Sequence, residues 1–215
     1  MPDSPPESEA LDAPQAAEAI AVTEAENGGD DGKPDIPEVL PLLPIRGTVM
    51  FPGTITPLGV GRPVSRQLLD DHLPRSKMIA LFTQQDPEEE NPGVDDLHPV
   101  GCAAMVLKLV RQPDETVTII CHGLTRVRIE DSVQVKPYLK AKVSTPDETP
   151  GKGKRFDAEV NQLRDQARQL VELTANQPEQ AMTVLMNIDQ PGYLADFLAA
   201  NLDLQPQEKQ DLLEE

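Results

Sequence analysis

The sequence predicts an α+β protein in which a small antiparallel β-barrel domain, carrying one short helix, is followed by an α-helical bundle. Three observations predict it. Up to about residue 145 the chain reads as roughly six β-rich runs separated by Pro, Gly, Asn and Asp clusters. Residues 146–154 then turn rich in Pro, Gly and charge. From Phe156 onward apolar residues recur with the period of an amphipathic helix, at Val160, Leu163, Ala167 and Leu170.

The elements follow in order. Pro41 and Pro44 cannot donate a ladder hydrogen bond and bias their predecessors toward extended backbone, so residues 40–45 are predicted as an edge strand or a strand entry. Pro52-Gly53 marks a turn, and residues 54–58 alternate into a second strand. Leu68, Leu69 and Leu73 with Ser65 as N-cap predict a helix over 65–73. The apolar run 78–83 is a third strand, and the acidic loop 85–96, with Pro87, Pro92 and Gly93, ends it.

The clearest hairpin covers 100–130 and turns at 113–116. Late in its second arm Thr125, Val127 and Ile129 alternate with Arg126, Arg128 and Glu130, which gives one buried and one charged face. Arg126 and Arg128 are expected to form a solvated surface pair, with contact to an acidic partner as the alternative. The last strand, 138–144, alternates Leu139, Ala141 and Val143 against Lys140, Lys142 and Ser144. Four helices are predicted after the linker, over 156–175, 179–188, 192–202 and 206–215, punctuated by Pro178, Pro191 and Pro206.

The domains expected are therefore a tail (1–37), a β domain (38–146), a linker (147–154) and a helical bundle (155–215). The tail carries ten acidic residues, one basic residue (Lys33), six prolines and no aromatic residue. Such a segment buries too little apolar surface to offset its ordering entropy, so disorder is expected. It supplies half of the net charge of −18. Nucleic-acid binding is disfavoured, because it needs clustered cations to displace counterions from phosphates. No apolar run approaches the roughly 20 residues a membrane helix requires. The amino terminus lacks the basic and apolar regions of a secretory signal, so a cytoplasmic address is expected.

Chemistry-bearing residues are sparse. If the hairpin turns about Asp114-Glu115, Cys102 faces Val127 and Cys121 faces Lys108. The two sulfurs are then offset by roughly 20 Å at about 3.3 Å per residue, against a Cα limit of about 7 Å for a disulfide. Both are expected as reduced core thiols. His72, His98 and His122 have no partners at metal-ligand spacing, and no metal or other cofactor is expected. Gly151-Lys152-Gly153-Lys154 lacks the frame of a phosphate loop and reads as a basic linker. No G-x-S-x-G elbow is present, and no serine has a recognisable base at motif spacing.

The segment 39–62, VLPLLPIRGTVMFPGTITPLGVGR, resembles the opening of the amino-terminal, substrate-binding domain of the Lon ATP-dependent proteases in its order LPLxPIR, FPG and PLxVGR. The resemblance continues through the hairpin, with its Val-Gly start, Pro-Asp turn and Gly-Leu-x-Arg-x-x-Ile finish. It extends to Asn187-Ile188-Asp189-Gln190-Pro191, Leu194-Ala195-Asp196, Asn201-Leu202-Asp203-Leu204 and the stretch 208–214. It implies a PUA-like β-barrel packed on a helical bundle. It also implies a module that recognises unfolded or degron-bearing proteins within a cytoplasmic homohexamer, joined to an ATPase and a Ser-Lys protease.

Neither a Walker motif nor a protease dyad occurs in this sequence, so the chain by itself is expected to be non-catalytic. Leu58, Gly59 and Val60 are the implied substrate-binding residues. Two departures stand out: Gly47 replaces the family's usual Asp, and Gly59 a commonly bulky apolar residue. The expected partners are unfolded or misfolded proteins, with the Lon ATPase and protease domains or further copies of the chain beside them. Two alternatives are the amino-terminal part of a complete ATP-dependent endopeptidase and, from fold analogy alone, an RNA-binding module.

Overall fold

The computed structural model describes residues 34–111, 116–147, 151–174 and 178–215. Most of the expected acidic tail, the hairpin turn at 113–115, linker residues 148–150 and the helix stop at Asn176-Gln177 lie outside the described residues. Residues 36–215 form one unit. Its strands are β1 (Val39–Ile45), β2 (Ile55–Val60), β3 (Met78–Thr83), β4 (Val100–Arg111), β5 (Val117–Gln134) and β6 (Lys140–Ser144). Its helices are α1 (Pro63–His72), α2 (Lys154–Thr174), α3 (Pro178–Asn187), α4 (Pro191–Asn201) and α5 (Pro206–Glu214), with a 3₁₀ turn at Val94–Asp96.

The strands form one mixed sheet in the order β2-β5-β4-β3-β1-β6, and β6 pairs again with β5. The expected antiparallel arrangement needs one correction, because β1 and β3 run parallel, from Leu42↔Ala80 to Ile45↔Thr83. A parallel pair needs a crossover, and the segment holding β2 and α1 supplies it.

The expected edge strand is also corrected, since β1 pairs on both sides. Both prolines are accommodated by a division of labour along the strand. Leu42 N–H donates to the Leu139 carbonyl at 2.9 Å, so even-numbered residues of β1 direct their polar groups toward β6 and odd-numbered ones toward β3. Pro41 therefore faces β3 just before that pairing begins at Leu42, and Pro44 faces the β6 side after that pairing has ended at Pro41. Neither missing N–H leaves a gap in a ladder.

The β4–β5 register differs from the one expected. Cys102 pairs with Arg126 and Val106 with Cys121, and irregularities fall at Ala103/Ala104 and Val106/Lys108. Each bulge inserts a residue in one strand, which a register counted from the turn cannot anticipate. Cys102 and Cys121 are both free and fully buried. The expected Ser65 cap is corrected as well: α1 begins two residues earlier, with Arg62 as N-cap and Pro63 in the first turn. Proline is pre-organised there and gives up an N–H that the helix cannot use, while Ser65 is buried.

One core cluster joins Leu68 and Leu69 of α1 to Leu58, Val60, Leu81 and Ile119 on the strands. Fully burying a side chain of this size contributes about 1.5–3 kcal/mol. A second cluster packs Leu40, Leu42, Phe82, Val127, Leu139 and Val143. Among the helices Ala167, Leu185 and Leu194 form their own buried centre. The helical part meets the sheet where Ala199 and Leu213 pack on Val49, Phe51 and Val100.

A polar latch reinforces that junction and corrects the expectation of a solvated arginine pair. Arg126 donates from Nη1 and Nη2 to the two carboxylate oxygens of Asp196, at 3.0 and 2.7 Å. Its Nε donates to the Leu213 carbonyl at 3.0 Å. The Arg126 and Asp196 side chains are only 18% and 5% exposed. Arg128 remains exposed. The buried Gln210 amide adds a hydrogen bond to the Val100 carbonyl at 2.9 Å.

Candidate functional site

A cleft of about 1480 Å³ opens beside β2. Its origin is topological. Along β5, β4 occupies one side, while β2 takes Val117 to His122 and β6 takes Arg128 to Gln134 on the other. The strand β2 ends the sheet order and bonds to nothing but β5 among the described strands. The cleft is walled by residues 56–62 with the start of α1, by residues 42–46 of and after β1, and by the loops 90–93 and 135–139.

The free edge of β2 can be read from its bonds. Gly123 N–H donates to the Thr54 carbonyl at 2.9 Å, and the register continues without a shift from Ile55↔His122 to Val60↔Val117. Alternation directs the backbone groups of Thr56, Leu58 and Val60 toward β5, and those of Ile55, Pro57 and Gly59 away from it. Two N–H donors, Ile55 and Gly59, thus stand on the open side, with Pro57 between them able only to accept. An interrupted edge of this kind resists fusing with a second long strand but can still pair with a short extended chain.

All three residues implied by the resemblance line this cleft. Leu58 and Val60 are buried and belong to the core, whereas Gly59 is exposed. A Cβ at Gly59 would meet nothing within 4 Å, so the strand face is open at this position. Gly47 has a separate cause: its φ of +62° is the left-handed region, which Gly adopts at no cost and which Asp tolerates better than most residues.

One end of the cleft brings two arginines against the acidic loop. Arg46 Nη2 donates to the Glu89 carbonyl at 3.0 Å, and Arg62 Nη2 reaches the same oxygen at 3.4 Å. Arg62 also bonds the buried Gln84 side chain, whose amide donates to that carbonyl at 2.9 Å. These bonds pin the acidic loop at the cleft rim. Desolvation by burial, followed by the charge of Arg46, pulls the Arg62 guanidinium below its ordinary pKa, against the opposing effect of Glu89 and Glu90. Sequence reasoning missed this pair. Arg46 and Arg62 are sixteen positions apart, and only the parallel β1–β3 pairing brings Gln84 beside Ile45 to gather them.

Among the described residues the remaining titratable groups do not assemble a reactive site. His72 bonds the Met78 carbonyl at 2.9 Å, and His98 lies 3.5 Å from Glu214. His122 has a buried Nδ1 without a partner, and burial lowers its pKa. No group of three His, Cys, Asp or Glu side chains with metal-binding geometry occurs among the described residues. Burial raises the thiols of Cys102 and Cys121 to about 12, which keeps them protonated and unreactive at neutral pH. Among the described residues no helix is long and apolar enough to cross a membrane.

The model of the "ATP-dependent protease La (LON) substrate-binding domain" family matches residues 39–215. The chain is 39% identical over 183 residues to Lon protease 2 of Myxococcus xanthus, covering 85% of this chain and 22% of that protein. It is 38% identical over 180 residues to the Lon protease of Dictyoglomus thermophilum, covering 84% and 23%. The chain thus spans less than a quarter of the length of these curated relatives. Among solved structures, the N-terminal domain of Mycobacterium avium complex Lon protease superposes with a TM-score of 0.65 at 18% identity, over 82% of this chain and 90% of that one. A Lon N-terminal domain protein from Xanthomonas campestris gives 0.59 at 18% identity, with the same coverage.

Proposed function

The chain belongs to the family of Lon substrate-binding domains, and on that premise we propose that it is a non-catalytic recognition module that binds unfolded or degron-bearing polypeptides in the cleft beside β2. The observation that carries this reading is the conjunction of an open strand edge with an apolar-walled cleft. An extended substrate gains main-chain hydrogen bonds along the edge of β2, while its alternate side chains rest on the walls near Leu42, Pro44 and Val64. Main-chain pairing is indifferent to sequence, which suits a receptor for many unfolded chains.

Leu58, Gly59 and Val60 are the substrate-binding residues of this proposal. Gly59 contributes an unobstructed N–H, and Leu58 and Val60 hold the strand in the core. The ring of strand pairings supports reading residues 38–146 as a PUA-like barrel, with a linker at 147–154 and a helical bundle over 155–215. A cytoplasmic setting fits the same role.

Titration of the 215-residue chain with a permanently unfolded, reduced and alkylated model protein tests the proposal. Saturable binding is expected, and Gly59→Trp weakens it at least fivefold by filling the open strand face. Absence of measurable binding overturns the reading. A second reading, that the chain is the amino-terminal part of a complete ATP-dependent serine endopeptidase, is favoured by its span of 22% of the M. xanthus relative. Coding sequence continuing past Glu215 into a Walker motif would establish it, and a stop codon there would refute it.

A further inference from the structure

The proposed cleft would bind any extended apolar chain, yet one end of it is chemically distinct. Arg46 and Arg62 both line the cleft, and both direct a guanidinium N–H at the single carbonyl oxygen of Glu89. That oxygen already accepts from Gln84. Two full positive charges thus converge on one neutral acceptor. Glu90 also lines the cleft at this end, and Glu89 and Glu90 act on Arg62 through space, but among the described residues neither carboxylate lies within ion-pair distance of a guanidinium. Each guanidinium carries five donors, so unused N–H groups remain on both.

The adjoining first turn of α1 adds to this. It holds no acidic residue and no side-chain cap, and Val64 and Ser65 line the cleft beside Arg62. Its partial positive charge has the same sign as the guanidiniums.

We infer that the Arg46 and Arg62 end of the cleft receives an acidic side chain of the bound polypeptide, so that the preferred segment is extended and apolar with an Asp or Glu placed at the Val60 end of β2. This rests on the substrate-binding reading above and deepens it. Charge complementarity selects the occupant: a carboxylate offers two oxygens to two forked donors, and its charge relieves the repulsion between the arginines. The rim loop also lines the cleft with Glu90, Asn91, Pro92 and Gly93. Apolar residues flanking one acidic residue would then bind better than an uncharged apolar run, although this chain is itself strongly acidic overall.

The experiment uses the 215-residue chain and two fluorescein-labelled decapeptides, acetylated and amidated at their ends, alike in a Val- and Leu-rich sequence except for one central Asp or Asn. Anisotropy titration at low salt is expected to show the Asp peptide binding about fivefold to tenfold tighter, as one partly exposed charge-assisted contact supplies. Raising salt to about 0.5 M narrows the ratio toward one. Equal affinities for the two peptides overturn the acidic-residue inference while leaving the cleft reading intact, and failure of both to bind overturns both. Arg46→Gln and Arg62→Gln, each checked for folding by circular dichroism, are expected to abolish the Asp preference without abolishing Asn-peptide binding. A preference that survives in folded Arg46→Gln also overturns the inference, and the wild-type comparison stands even if Arg62→Gln fails to fold.

Discussion

Replacing Asp196 by Ala should unlatch the helices from the sheet at a definite cost. The Asp196 carboxylate is 5% exposed and takes two N–H donors from Arg126, whose side chain is 18% exposed. Removing one member of such a pair leaves the other charge buried without its counterion, which costs about 3–5 kcal/mol. Arg126 retains the Leu213 carbonyl as an acceptor and some contact with solvent, so the lower end, about 3 kcal/mol, is expected. That is a large part of the roughly 5–15 kcal/mol that stabilises a domain.

The assay is urea unfolding of the full chain, read by far-ultraviolet circular dichroism, alongside amide hydrogen exchange. Exchange should accelerate first across Pro191–Asn201, because that helix carries Asp196 and loses both bonds to Arg126. Asp196→Asn should lose about half as much, since an amide oxygen still accepts one bond. Coupling Asp196→Leu to Arg126→Met should recover most of the loss, because no buried charge then remains. A loss below about 1 kcal/mol for Asp196→Ala, or a double variant no better than the single, would refute the latch.

Two further outcomes follow from packing and from the thiols. Gly123→Ala places a Cβ 2.3 Å from the Phe51 carbonyl oxygen and 3.1 Å from Cys102 Sγ, so β5 must shift, and a loss of more than about 2 kcal/mol is expected in the same urea assay. Ordinary stability for that variant would show that the strand gives way easily. Burial favours the neutral thiols of Cys102 and Cys121, with pKa values raised to about 12 against 9.0 for the free group. Their contribution is fully present below pH 9 and is lost as pH rises through 12, since above pH 9 the unfolded chain releases those protons first. Disulfide-exchange reagents at pH 8 should label both cysteines only after denaturant is added, and rapid labelling of the native chain would contradict their burial.

Much of the fold is legible in the sequence because most of it is local. Six strands, one early helix and four later helices follow from alternation, helical period and proline punctuation, and Pro191 and Pro206 mark helix starts in both views. The parts that stay hidden depend on contacts across the chain. The parallel pairing of β1 with β3 turns a proline-rich strand from an edge into an interior one, and nothing within residues 39–45 announces the partner. Arg126 looks like one charge on a polar face until helix α4 brings Asp196 to it, seventy positions away. Resemblance points to residues 58–60, where Gly59 is exposed and a Cβ would meet nothing within 4 Å. The arginine pair of the cleft has no motif, because Arg46 and Arg62 are gathered by a tertiary carbonyl.

The central claim is that extended polypeptide pairs with the open edge of β2, and residue-resolved amide exchange with and without a saturating unfolded protein tests it most directly. The account predicts new protection at the amides of Ile55 and Gly59, which have no partner strand on their side among the described residues, with little change at Thr56 and Leu58, already bonded to β5. Unchanged exchange at Ile55 and Gly59 under saturation, with protection confined to the helices, would contradict it.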